Sequence, residues 1–126
     1  MKWIVGIRLH FDSAHQLRGY EGKCSRLHGH RWEIELAIEA LELDKVGMAY
    51  DFTKLKEMVR KDLLYIDHYN LNDIPPFDKI NPTAENIARF FFDQYVLLME
   101  EHGCALRYVK IWETPTAFAV YGRDLT

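Results

Sequence analysis

The sequence predicts an α+β domain: a four-stranded antiparallel sheet with two helices on one face, in the order ββααββ. Three observations lead there. Apolar and polar residues alternate over two opening segments. The period then changes to that of a helix over two segments parted by prolines, and alternation returns near the end of the chain. The chain has 126 residues, enough for a single domain, 1–126, with a sizeable core and too few for two.

In the first segment Trp3, Val5, Ile7, Leu9 and Phe11 fall on one parity, the mark of a strand with one buried face. In the second, Trp32, Ile34, Leu36 and Ile38 share a face while Glu33, Glu35 and Glu39 take the other, as in an antiparallel sheet with one wet side. Residues 41–50 read as a turn or loop punctuated by Gly47. Phe52, Leu55, Val59 and Leu63 follow helical spacing, with Asp51 as N-cap. NDIPPFDKINP (72–82) is a loop, because Pro75, Pro76 and Pro82 are poorly tolerated inside a helix. Thr83 caps the second helix, and Glu85 suits the positive end of its dipole. Ile87, Phe91, Tyr95 and Leu98 form that helix's apolar stripe, and Gly103 ends it. Strands are expected around 105–113 and 117–122. Apolar and aromatic side chains also fall on the second sheet face, where further copies of the chain are expected to bury them.

Hydrophobic residues make up 48% and charged residues 28% of the chain, and the net charge is −3. This is the composition of a soluble globular domain, without the broad basic footprint that nucleic acid requires. The opening MKWIVGIRLHFDSAHQ carries Arg8 and His10 inside its apolar run and no small-residue cleavage site, so it does not read as a signal peptide. No apolar run approaches a membrane span. The two cysteines, Cys24 and Cys104, are then expected as free thiols in the cytoplasm.

The stretch CSRLHGH (24–30) carries the first chemical signal. His28 and His30 are two apart, so on a strand both point to the face that carries Trp32 and Ile34. Two imidazoles side by side suit one metal ion, and His15, of the same parity as Phe11, is the best third ligand. Three neutral imidazoles with an open fourth position is the pattern of a catalytic zinc site. The plainer reading is a loop of polar histidines. Cys24 has three readings: a base or nucleophile beside the metal, a fourth ligand that closes a structural site, or a small buried hydrophobe. His10 and His102 read as surface residues and Cys104 as core. In IDHYNLND (66–73), Asp67 beside His68 suggests an acid–base pair, or simply a histidine at a helix C-terminus. Glu113 shares parity with Val109 and Ile111. It is either a rim charge or a pocket carboxylate able to accept the paired N–H donors of an aminopyrimidine.

FDSAH (11–15), CSRLHGH (24–30), YDF (50–52), DHYNLND (67–73), NPTAEN (81–86) and WETPTAFAVY (112–121) together resemble the 6-pyruvoyl-tetrahydropterin synthase superfamily, in family order across nearly the whole chain. The three-residue gap between Cys24 and His28 resembles its carboxy-tetrahydropterin branch, which serves queuosine (7-deazaguanine) biosynthesis. Asp12 and Ser13 stand where the family commonly has small or apolar residues. The resemblance implies the tunnelling fold (T-fold), with three chains closing a barrel, two trimers stacking as a hexamer, and active sites at subunit interfaces. It implies Zn2+ on His15, His28 and His30, Cys24 as catalytic proton acceptor, His68 as catalytic histidine with Asp67 as its partner, and Glu113 as the carboxylate that binds the pterin ring. The implied substrate is a pterin triphosphate, 7,8-dihydroneopterin triphosphate. The implied reaction is a lyase step to 6-carboxy-5,6,7,8-tetrahydropterin; the sister branch stops at a 6-pyruvoyl product. Outside the resemblance, the alternative is a non-catalytic zinc-binding interaction domain.

Overall fold

Trp3–His15 and His28–Ala40 form strands β1 and β2, and the alternation read from them sets which side chains reach the core. The structure is a computed structural model that describes residues 1–125. β1 and β2 pair antiparallel along their whole length, from Trp3 opposite Ala40 to His15 opposite His28. Trp32, Ile34, Leu36 and Ile38 are fully buried, as are Phe11 and, nearly, Ile7. Trp3, at the start of β1, stays half exposed.

Helix α1 (Phe52–Leu63) starts where Asp51 accepts a hydrogen bond from the Thr53 N–H at 2.9 Å. Leu55, Val59 and Leu63 bury its apolar stripe, while Phe52 remains half exposed. Helix α2 (Ala84–Glu101) starts at Thr83, whose hydroxyl accepts from the Asn86 N–H at 3.1 Å. It turns Ile87, Phe91, Tyr95 and Met99 inward. Gly103, at φ +76°, lets the chain reverse after the helix, where the Cys104 N–H bonds the Met99 carbonyl at 3.0 Å. The Tyr95 hydroxyl reaches Asp62 on α1 at 2.5 Å and ties the two helices together.

The sheet differs from the expectation in one strand. Tyr69–Asn70 forms a short β3 that pairs parallel with Ser13 and Ala14, followed by β4 (Ala105–Thr114) and β5 (Ala117–Gly122). The sheet is therefore five-stranded and mixed, in the order β3-β1-β2-β4-β5. Two residues are too short for any periodicity to register. β3 exists because the outer edge of β1 offers free backbone groups there. The α+β class and the two helices on one face hold. The buried residues of strands and helices form a single cluster.

The second sheet face is an ordered set of charged and aromatic groups. Arg8 pairs with Glu33 and lies over the Trp112 ring, 4.6 Å from its centroid. Lys110 lies 4.4 Å from that ring and 3.9 Å from Phe118. Arg107 and Lys2 both pair with Glu39, and Tyr108 donates to Glu35 at 2.7 Å. Among the described residues no helix is long and apolar enough to cross a membrane.

Candidate active site

The end of the β1–β2 ladder brings three histidines together. His15 closes β1, His28 opens β2 directly opposite, and His30 follows two residues on with the same parity. Their ligand atoms all lie within 4.8 Å of one another. His15 is fully buried and packs edge-on to Trp32, 4.8 Å between ring centroids. The register does this work: a slip of one residue would turn the set to the opposite face.

Backbone carbonyls orient two of the rings. His15 Nδ1 lies 2.8 Å from the Pro82 carbonyl, and His28 Nδ1 lies 2.7 Å from that of Arg26. A carbonyl only accepts, so each Nδ1 carries its proton and each Nε2 lone pair is free. Metal-binding histidines are commonly held in this way. The Nε2 atoms of His15 and His30 are buried without a hydrogen-bond partner among the described residues. Glu113 Oε1 lies 3.3 Å from His15 Nε2 and 3.7 Å from His30 Nε2, without the geometry of a hydrogen bond. Buried polar atoms left unpaired are rare, and here they converge beside a carboxylate. The residues present therefore fit a divalent metal such as zinc, which His15, His28 and His30 would hold through three nitrogen donors, with the Glu113 carboxylate beside two of them.

Burial holds the His15 and His30 imidazoles below their ordinary pKa of 6.5, and only in part does the Glu113 charge oppose it. Both therefore stay neutral at neutral pH, the form a metal requires. In the unfolded chain they take up protons near 6.5, so below that pH the unfolded state binds more protons than the folded one. The metal-free chain is expected to hold its stability above about pH 7 and to lose it as pH falls through the mid-range. Urea unfolding at stepped pH measures this, and a midpoint that rises on acidification would contradict it.

Cys24 is half buried in a short 3-10 turn, Lys23–Ser25, and is not among the grouped ligand atoms. Its carbonyl accepts the Leu17 N–H at 2.8 Å. Its thiol lies outside the trio of histidine ligand atoms. Cys104 is buried, and His10 and His102 are exposed, as expected.

Asp67 and His68 gather with Asp12 in a second group. Asp67 Oδ1 lies 3.1 Å from His68 Nδ1 and also accepts the Asp12 N–H at 2.8 Å. That backbone hydrogen bond, and then the one from His68, hold the Asp67 carboxyl below its ordinary range. The His68 N–H bonds the Asp12 carbonyl at 2.6 Å, with His68 at φ +65°, a left-handed conformation uncommon outside glycine. The carboxylate thus orients the imidazole, and His68 lines an open cleft of about 440 Å³ together with Asp12, His30 and Tyr69. The sequence reading missed the Pro82 and Arg26 carbonyls and the Asp12 backbone. No side chain betrays a backbone contact, so no residue pattern announced them.

A family model described as 6-pyruvoyl tetrahydropterin synthase matches residues 4–124. The chain is 38% identical to a 6-carboxy-5,6,7,8-tetrahydropterin synthase of Synechocystis sp., over 94% of this chain and 92% of that one. It is 35% identical to a 6-pyruvoyl tetrahydrobiopterin synthase of Dictyostelium discoideum, over 88% and 89%. Among solved structures it superposes on the Caenorhabditis elegans 6-pyruvoyl tetrahydropterin synthase with a TM-score of 0.85, at 28% identity, covering 98% and 97% of the two chains.

Proposed function

Since this chain belongs to the 6-pyruvoyl tetrahydropterin synthase family, we propose that it is a zinc-dependent lyase converting 7,8-dihydroneopterin triphosphate into 6-carboxy-5,6,7,8-tetrahydropterin, acetaldehyde and triphosphate, in queuosine (7-deazaguanine) biosynthesis. The observation that carries the reading is the trio of convergent imidazoles, two with unpartnered buried Nε2 atoms. The choice of branch rests on the relatives named for the carboxy product and on the three-residue gap between Cys24 and His28.

Zinc on His15, His28 and His30 supplies, when bound, a Lewis acid for the hydroxyls of the substrate side chain. Cys24 accepts a proton from that side chain, and His68, oriented by Asp67, returns one. Glu113 receives the paired N–H donors of the aminopyrimidine ring. The redox balance is internal: side-chain carbons are oxidised as the ring is reduced, so no nicotinamide or flavin is needed. Triphosphate departs by elimination. Water is consumed when the carbon–carbon bond breaks, leaving a carboxylate on the ring and releasing acetaldehyde. In this reading the active site lies between copies of the chain, and a neighbouring copy supplies the His68 that works with Cys24. A closed trimeric barrel, stacked as a hexamer, meets that need. Among the described residues the outer edge of β1 before Ser13 and that of β5 are unpaired, and Trp3, Ile4, Phe118 and Val120 stand exposed near them.

The second reading is the sister reaction, favoured by the Dictyostelium relative, which is about as similar as the carboxy relatives. Product analysis separates the two. With zinc-loaded protein and 7,8-dihydroneopterin triphosphate, the expected result is a 6-carboxy-tetrahydropterin by mass spectrometry, with stoichiometric acetaldehyde. A 6-pyruvoyl product without acetaldehyde would move the chain to the sister reaction, and no turnover at all would sink the substrate.

A further inference from the structure

β1 leaves the sheet after His15, and the chain rejoins it at His28. Residues 16–27 between them carry Cys24, yet beyond the local turn at 22–26 one backbone hydrogen bond among the described residues spans this excursion, from Leu17 N–H to the Cys24 carbonyl. The opposite edge of the same stretch is filled by two side chains. Asn72 accepts the Gln16 N–H and donates to the Gln16 carbonyl, both at 2.9 Å. Asn81 accepts the Arg18 N–H at 2.9 Å and donates to the Arg18 carbonyl at 2.8 Å. Residues 16 and 18 thus bond one way and residue 17 the other, which is the alternation of a strand between two neighbours.

A carboxamide is the side chain that copies a peptide group, one donor and one acceptor in fixed relation. Two of them, bonded to residues i and i+2 of the stretch (Gln16 and Arg18), replace the neighbouring strand that β3 is too short to provide. Both are firmly based. The Asn81 carbonyl accepts from Asn86 in the first turn of α2 at 2.9 Å, and the next residue, Pro82, holds His15. Asn72 follows Leu71, which is fully buried, and the Arg18 guanidinium adds bonds to the Phe77 and Ile80 carbonyls. The start of α2 therefore sets the metal-binding histidine and the route to Cys24 together.

We infer that Asn72 and Asn81 are positioning residues, which act as a surrogate strand to fix Cys24 relative to the imidazole cluster. The consequence for catalysis rests on the role given to Cys24 above; the pinning itself does not. The test is the zinc-loaded Asn72→Ala/Asn81→Ala protein. Zinc content per chain is expected to match the parent, because neither residue touches a ligand ring. Hydrogen exchange at the Leu17 amide is expected to speed up roughly 10-fold as the lost bonds free the stretch. Alkylation of Cys24, followed on its peptide with buried Cys104 as reference, changes in step. Turnover per bound zinc falls about 10- to 100-fold, the effect of a displacement on the order of 1 Å, while KM stays near the parent value. A loss of fold alone would lower zinc content with turnover, which this split distinguishes. If the double variant does not fold, Asn72→Asp and Asn81→Asp, which keep the acceptor and lose the donor, carry the same comparison. Unchanged Leu17 exchange and Cys24 alkylation would overturn the inference. Faster exchange with undiminished turnover would uphold the pinning and overturn the role of Cys24 instead.

Discussion

Cys24→Ala is expected to keep its zinc and its fold and to lose turnover by about 10²- to 10⁴-fold, the range for removal of a positioned proton-transfer group, which is the role proposed for this thiol. The geometry makes this a clean substitution. The Cys24 side chain makes no hydrogen bond among the described residues, and its structural contribution is its carbonyl, which accepts from Leu17 and which alanine retains. It stands outside the cluster of ligand atoms, so its thiol is not needed to hold the ion. Stability should shift by no more than about 0.5 kcal/mol, as for a half-exposed site without special contacts. Single-turnover kinetics with the metal content measured on the same sample check it. Loss of zinc together with the fold would make Cys24 a ligand of a structural site and would reverse the proposed chemistry.

The second large effect is expected at the proposed metal ligands. His28→Ala is expected to weaken zinc binding more than about 100-fold, since groups that merely orient a ligand already contribute 10- to 100-fold. His28 is the better choice than His15. It sits half buried at the start of β2, whereas His15 is fully buried against Trp32 and its loss would leave a cavity and an unpartnered Pro82 carbonyl. In the parent, zinc at a thousandfold excess over its Kd adds about 4 kcal/mol to folding stability by mass action, and a chelator removes it. At the same zinc concentration the His28→Ala chain should keep at most about 1.4 kcal/mol of that stabilisation, so its unfolding temperature moves far less with zinc than the parent's. Competition against a chromophoric chelator gives the affinity, and a variant that still binds as tightly as the parent would refute the three-histidine site.

Much of this was legible in the sequence because strand and helix periods are local. The alternation through Trp32, Ile34, Leu36 and Ile38 named the buried face of β2, and the same parity put His28 and His30 on it. Asp51 and Thr83 marked both helix starts because a cap needs a particular side chain at a particular place. His15 was reachable by the same parity, carried along β1 from Phe11. The Asp67–His68 pair, two readings wide as sequence, became one geometry when Asp12 bonded both partners through its backbone.

What the sequence alone determined is therefore the order of elements, their buried faces and the residue types available at the end of the sheet. The tertiary structure alone decided that His15 meets His28 in register, that Glu113 on β4 turns its carboxylate to two of the imidazoles, that Tyr69 and Asn70 add a parallel strand, and that the Pro82 carbonyl and two asparagines set the ring and the loop. The physical reason is the range of the interactions. Periodicity is written into neighbouring residues, whereas the β1–β2 register joins residues 13 to 37 apart, and the contacts of Asp12, His15 and Gln16 join residues 55 to 67 apart, through backbone groups that every residue shares.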